Sequence, residues 1–169
     1  MPAVTIRPAQ PADVPLILAL VRELAEYERE PESAVATDEQ VRHALFSPAS
    51  NDRAAAGCLI AELDGAPQGF ALYFHNFSTW TGRSGLYLED LFVRPAARAH
   101  GLGKRLMIEL ARLAIARGCA RFEWSVLDWN TPAIDFYRAL GAVRMDEWTV
   151  HRLSGEALRA LATAGGDQP

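Results

Sequence analysis

Residues 86–118, LYLEDLFVRPAARAHGLGKRLMIELARLAIARG, lead through Cys119 and Ala120 to RFEWSVLD, and this stretch constrains the fold more than any other. It reads as a strand, a glycine-bearing turn, a long amphipathic helix closed by Gly118, and a second strand. A strand that crosses through a helix to the next strand of its sheet makes a right-handed parallel unit. One parallel pair is therefore expected between residues 86 and 128. The segments before it differ. GCLIAEL, the turn DGAP, the long aromatic run QGFALYFHNF and the connection STWTGRSG follow one another as hairpins, which implies antiparallel pairing. The sheet must then be mixed.

VTIR reads as a first strand. Pro11 and Asp13 open a helix whose apolar positions Val14, Ile17, Leu18, Val21 and Leu24 keep helical spacing up to about Tyr27. Thr37 and Gln40 form a capping box for a second helix, DEQVRHALF. Late in the chain, Asn130 or Thr131 caps TPAIDFYRAL, Gly141 closes it, EWTVHRL reads as a last strand and SGEALRALA as a terminal helix. The expected order is β-α-α-β-β-β-α-β-α-β, an α+β fold with a mixed sheet and flanking helices.

The 169 residues suit one domain, 1–169, with 162–169 as a frayed tail. No apolar run reaches the roughly 20 residues that span a membrane. The opening MPAVTIRPAQ has no basic region followed by an apolar stretch, so no signal peptide is expected and a cytoplasmic location is the default. The net charge of −4 argues against a nucleic-acid binder. Cys58 and Cys119 belong to no CxxC pair and are expected to be buried, reduced core residues; no metal is expected.

The turn ARAHGLGKRL invites three readings. A P-loop requires GxxxxGK[ST], but Arg98 stands at the first glycine and Arg105 at the serine or threonine. A dinucleotide fingerprint requires GxGxxG, but Leu106 occupies the third glycine. The third reading is R-x-x-G-x-G, formed by Arg98, Gly101 and Gly103. Leaving a strand and starting a helix at once, such a turn presents free amides and a favourable dipole to an anion, with Arg98 and Lys104 adding charge.

R-x-x-G-x-G after a strand ending in valine resembles the signature of the GCN5-related N-acetyltransferases, in which this turn holds the pyrophosphate of acetyl-coenzyme A. LYLEDLFVRPAARAHGLGKRL, VLDWNTPAIDFYRALGA and IRPAQPADVPLILALVRELAEYE are similar to the spermidine/spermine N-acetyltransferase branch. STWTGR with LYLED, and VLDWN, are most like its thialysine or diamine-type members. The resemblance runs over residues 4–153.

That resemblance implies a cofactor site and roles for individual residues. Acetyl-coenzyme A would lie along Leu91, Phe92 and Val93 like an added strand. Its pyrophosphate would sit on Arg98, Ala99, His100, Gly101, Leu102, Gly103 and Lys104, with further contacts from Asn130, Thr131, Pro132 and Ala133. A backbone amide near Leu91 would face the developing oxyanion. Tyr137 would be the general acid: a phenol of pKa about 10 can protonate a thiolate whose acid has pKa about 8.5. Strand alternation puts Glu89 and Asp90 on opposite faces, so one reaches the cleft; the resemblance selects Glu89 as the substrate contact and proton acceptor and leaves Asp90 structural. Tyr27 and Glu28, and the stretch Glu123, Trp124 and Ser125, match the branch's amine contacts. Trp80, Trp124 and Trp129 could wall an amine channel.

FSTW departs from the polyamine type, with Ser78 and Thr79 where that type carries an acid. Asp146 or Glu147 could supply a late acidic contact. The expected activity is acetyl transfer to a small cationic amine such as thialysine, a diamine or a polyamine. Acetylation of a protein lysine or N-terminus, and non-catalytic binding of acetyl-coenzyme A, are the alternatives. The resemblance also implies a homodimer.

Overall fold

A computed structural model describes residues 2–48 and 54–164. The chain divides into two compact units, Met1–Ser125 and Val126–Pro169.

The first unit holds five strands in sequence order: β1 (Val4–Pro8), β2 (Gly57–Leu63), β3 (Ala66–Ser78), β4 (Arg83–Val93) and β5 (Phe122–Trp124). β1 to β4 pair antiparallel, and β4 pairs β5 in parallel. The mixed sheet follows the sequence expectation. The β2–β3 turn places Asp64 at φ 51° and Gly65 at φ 78°, the left-handed pair that a two-residue hairpin turn demands.

Helix α1 (Val14–Tyr27) starts after a 3-10 turn at Pro11–Asp13, and α2 (Asp38–Phe46) starts at the expected box, with the Gln40 amide donating to Thr37 Oγ1. Ile17, Leu20 and Leu24 of α1 and Leu45 of α2 pack with Cys58, Ile60, Phe70 and Phe92 on one sheet face. The alternate residues Leu59, Ala61 and Ala71 are also buried, on the opposite face by the strand period. Helix α3 (Leu102–Ala116) lies against β1 to β4 and buries Leu102, Leu106, Met107, Leu110 and Ala114. Gly118, at φ 68°, follows it in the left-handed conformation of a C′ residue.

The second unit holds α4 (Thr131–Ala139) and α5 (Gly155–Thr163). Asn130 is the cap of α4: its Oδ1 accepts from the Ala133 amide at 3.3 Å.

Three expectations are corrected. EWTVHRL forms no strand: residues 147–153 are exposed and no described strand offers them ladder partners. β5 is three residues long, not eight, because β4 leaves it beyond Leu88 and Trp124. Cys119 is only half-buried, whereas Cys58 is buried and desolvation pushes its thiol up to about 12. The expected frayed tail falls largely on Gly165–Pro169, outside the described residues.

Candidate active site

β4 and β5 share only three partner pairs, Leu86 with Phe122, Tyr87 with Glu123 and Leu88 with Trp124. On its other side β4 stays paired with β3 to the end, through Ala71–Leu91, Phe70–Phe92 and Gly69–Val93. Among the described residues no strand follows β4 on the β5 side beyond Leu88. The parallel strands therefore splay, and Leu91, Phe92 and Val93 present an open edge, the kind an extended ligand can extend.

The chain then reaches the cradle. A 3-10 turn at Pro95–Ala97 leads to Arg98, Ala99 and His100, all exposed. Ala99 has φ 72° and Gly101, the cap of α3, has φ 79°. These two left-handed residues bring the chain into the first turn of α3, whose amides at Leu102, Gly103 and Lys104 have no helical carbonyl to bond. A side chain at Gly101 would be strained by its φ, although the space beside it is open. Open, amide-lined and at the positive end of a helix of 15 residues, the cradle fits an anion such as a pyrophosphate. Arg98 donates from Nε to the Val93 carbonyl at 3.0 Å, and its guanidinium carbon lies 4.6 Å from the centroid of the Tyr27 ring.

The end of β4 is clamped to α1. Arg94 grips Glu23 with Nε to Oε2 at 2.8 Å and Nη2 to Oε1 at 2.6 Å, and Nη1 donates to the Pro67 carbonyl. This pairing holds the Glu23 carboxyl below the ordinary carboxylate value. The residue types alone did not mark this clamp.

The acids follow a different arrangement from simple alternation. Tyr73 pairs Leu88 and Leu72 pairs Asp90, so Glu89 is an extra residue in β4, a β-bulge. Alternation fails at the pair it was expected to separate. Asp90 lines a cleft of about 150 Å³ with Glu28, Glu30, Val21 and Leu24. Glu89 is exposed beside it. Desolvation first, then the charges of Glu89 and Glu28, push the Asp90 carboxyl up to about 6. Desolvation raises Glu28 as well. The structure thus brings Glu28 together with Asp90, the residue expected to be structural; a bulge leaves no signature in the letters L-E-D-L.

Glu123 is engaged elsewhere. Its Oε2 accepts from Asn76 Nδ2 at 3.1 Å and pairs with Arg121 Nε at 2.9 Å. Ser125 is held by the Tyr87 hydroxyl at 2.8 Å, and the half-buried Trp124 packs its ring 5.0 Å from Phe122. Trp80 is 88% exposed on the β3–β4 hairpin and Trp129 is 44% exposed. In the second unit, Asn130, Thr131, Pro132 and Ala133 form the start of α4. Tyr137 lies two turns on, half-buried, with its ring 5.2 Å from Phe136. Asp146 and Glu147 form an exposed turn. Among the described residues no group of three His, Cys, Asp or Glu side chains is placed to hold a metal, and no helix is long and apolar enough to cross a membrane.

A five-stranded mixed sheet with splayed parallel strands, flanked by helices, is the architecture of an α+β acetyltransferase fold. The chain belongs to the acetyltransferase (GNAT) family, whose pattern it matches over residues 18–142. It is 39% identical to a thialysine N-epsilon-acetyltransferase of Sus scrofa, covering 96% of this chain and 99% of that one. It is 31% identical to an L-ornithine N5-acetyltransferase of Arabidopsis thaliana, covering 92% and 86%. Among solved structures, an integron cassette protein from the mobile metagenome of V. cholerae superposes with a TM-score of 0.76 at 27% identity, over 94% of this chain and 97% of that one. The chain is an N-acetyltransferase.

Proposed function

We propose that the protein transfers the acetyl group of acetyl-coenzyme A to a primary amine of a small cationic substrate, by direct attack on the thioester. Thialysine, ornithine-like diamino acids, diamines and polyamines are the candidate class. The observation that carries the choice is the cleft at the C-terminal end of α1, where Glu28 and Asp90 meet with Glu89 beside them. Asp90, raised by desolvation and by the charges of Glu89 and Glu28, and Glu28, raised by desolvation, gain most from an ammonium guest, which relieves these costs. The relatives named for thialysine and ornithine acetylation support the same class.

Each step has an assigned residue. Acetyl-coenzyme A would supply an activated acetyl group, held by the cradle from Arg98 to Lys104, by the edge Leu91–Val93 and by Asn130 to Ala133. The amine must shed a proton before its lone pair can attack. A carboxylate with a pKa of about 6 is better matched to that task near neutral pH than an ordinary one. Asp90 therefore joins Glu89 as proton acceptor, directly or through water. As the new C–N bond forms and the C–S bond breaks, the Leu91 amide faces the oxygen that gains charge, and Tyr137 gives its proton to the departing thiolate. Tyr27, Glu28, Trp124 and Ser125 contact the amine, with Glu123 acting through Asn76 and Arg121 unless that pair opens.

The protein works as a homodimer in the cytoplasm under this reading. The exposed apolar residues Val143, Met145, Val150 and Leu153 mark a segment that pairs with no strand among the described residues. A second copy is the partner that would complete it.

The test is thiol release from acetyl-coenzyme A with thialysine, ornithine, putrescine and spermidine. Turnover on at least one supports the reading. Tight coenzyme A binding with no turnover on any would move the function to a protein amine or to sensing.

A further inference from the structure

Arg98 opens the cofactor motif, yet it is an exposed, long side chain that would ordinarily sample many rotamers. Here it is fixed at two points. Its Nε donates to the Val93 carbonyl at 3.0 Å, and its guanidinium lies 4.6 Å above the centroid of the Tyr27 ring. A planar guanidinium stacks on an aromatic face in a way a lysine cannot reproduce. With Nε committed to Val93, the terminal nitrogens are the ones left to meet an anion.

Tyr27 ends α1 next to Glu28, which lines the acidic cleft. Its ring also packs on the core cluster of α1, α2 and the sheet, so it is itself well anchored. It stands between two regions, the amine-side cleft through its neighbour Glu28 and the cofactor turn through Arg98. The resemblance assigns Tyr27 to the amine alone.

We propose that Tyr27 is a positioning residue of the cofactor cradle: its ring pre-sets the Arg98 guanidinium for the pyrophosphate of acetyl-coenzyme A. The proposal rests on the cofactor reading above. A guanidinium held in its bound rotamer loses less freedom when it grips the anion, so affinity rises without any new contact to the ligand. Removing the ring should therefore weaken cofactor binding even though Tyr27 need not touch the cofactor.

The experiment is calorimetric titration of coenzyme A, without amine and without turnover, into the unaltered protein, Tyr27→Phe, Tyr27→Leu, Arg98→Ala and the Tyr27→Leu/Arg98→Ala double variant. Leucine keeps apolar packing against the helix cluster while deleting the ring, and a thermal melt checks that each variant is folded. The expected result is about a two- to fivefold weakening in Tyr27→Leu, the range of an exposed cation–π contact. Tyr27→Phe should stay close to the unaltered protein, and Tyr27→Leu should add nothing once Arg98 is gone. Unchanged coenzyme A affinity in Tyr27→Leu, or an equal loss with and without Arg98, would overturn the proposal. If the unaltered protein does not bind coenzyme A, the cofactor reading itself falls, an outcome distinct from the other two.

Discussion

Asp90→Asn separates the cost of the acidic cleft from its use. The Asp90 carboxyl sits in the α1–β4 cleft with Glu28, beside Glu89, and its pKa rises from 3.8 to about 6. A raised acid holds its proton longer in the folded state than in the unfolded chain. The folded protein then binds more protons between about pH 4 and pH 6, so stability falls as pH climbs through that window and stays reduced above it. At about 1.4 kcal/mol per pH unit, the gap from 3.8 to about 6 sets a ceiling of about 3 kcal/mol. Asparagine keeps the shape and removes the charge. The variant should match the unaltered protein near pH 4 and exceed it near pH 8 by roughly 1–3 kcal/mol, or about 3–10 °C in Tm. Urea unfolding at a series of pH values reads this directly, and the same variant should lose most of its acetyl transfer. Parallel stability curves for the two proteins across the whole range would refute the reasoning, because Asp90 would then carry no desolvation cost.

Three further outcomes follow from the geometry. Tyr137→Phe should lower kcat by about a hundredfold or more while coenzyme A affinity is kept, since general acid catalysis contributes about 10²–10⁴; retained turnover removes Tyr137 from the mechanism. Gly69→Ala would set a Cβ 2.5 Å from the Phe92 carbonyl oxygen and 3.1 Å from the Val93 Cα, so β4 must shift. It should cost about 1–3 kcal/mol of stability and weaken coenzyme A binding, read by melting and titration. Gly101→Ala keeps open space but forces a side chain to φ 79°; a stability loss of about 1 kcal/mol with weaker coenzyme A binding is expected.

Which parts were legible in the letters has a physical pattern. Local signals carried far. Thr37 and Gln40 marked the start of α2, DGAP marked the β2–β3 turn, and Gly118 marked the end of α3, because caps and turns depend on a few neighbouring residues. The strand–helix–strand unit fixed the parallel β4–β5 pair, because handedness leaves one solution. Features that depend on a second segment were not legible. The bulge at Glu89 exists only in the register between β3 and β4, so L-E-D-L could not show that Asp90 would line the cleft. Glu123 looked available, but Asn76 on β3 donates to it and Arg121, two residues before it, pairs with it. EWTVHRL has strand chemistry but no ladder among the described residues, and strand propensity alone cannot supply one.

The most direct measurement is a side-by-side comparison of kcat/KM for acetyl-coenzyme A-dependent acetylation of the candidate small amines and of a lysine-containing peptide. The account predicts turnover on at least one of thialysine, ornithine, a diamine or a polyamine, at a kcat/KM well above that of the peptide and sharply reduced by Asp90→Asn. A higher kcat/KM on the peptide, or small-amine turnover indifferent to Asp90→Asn, would contradict it.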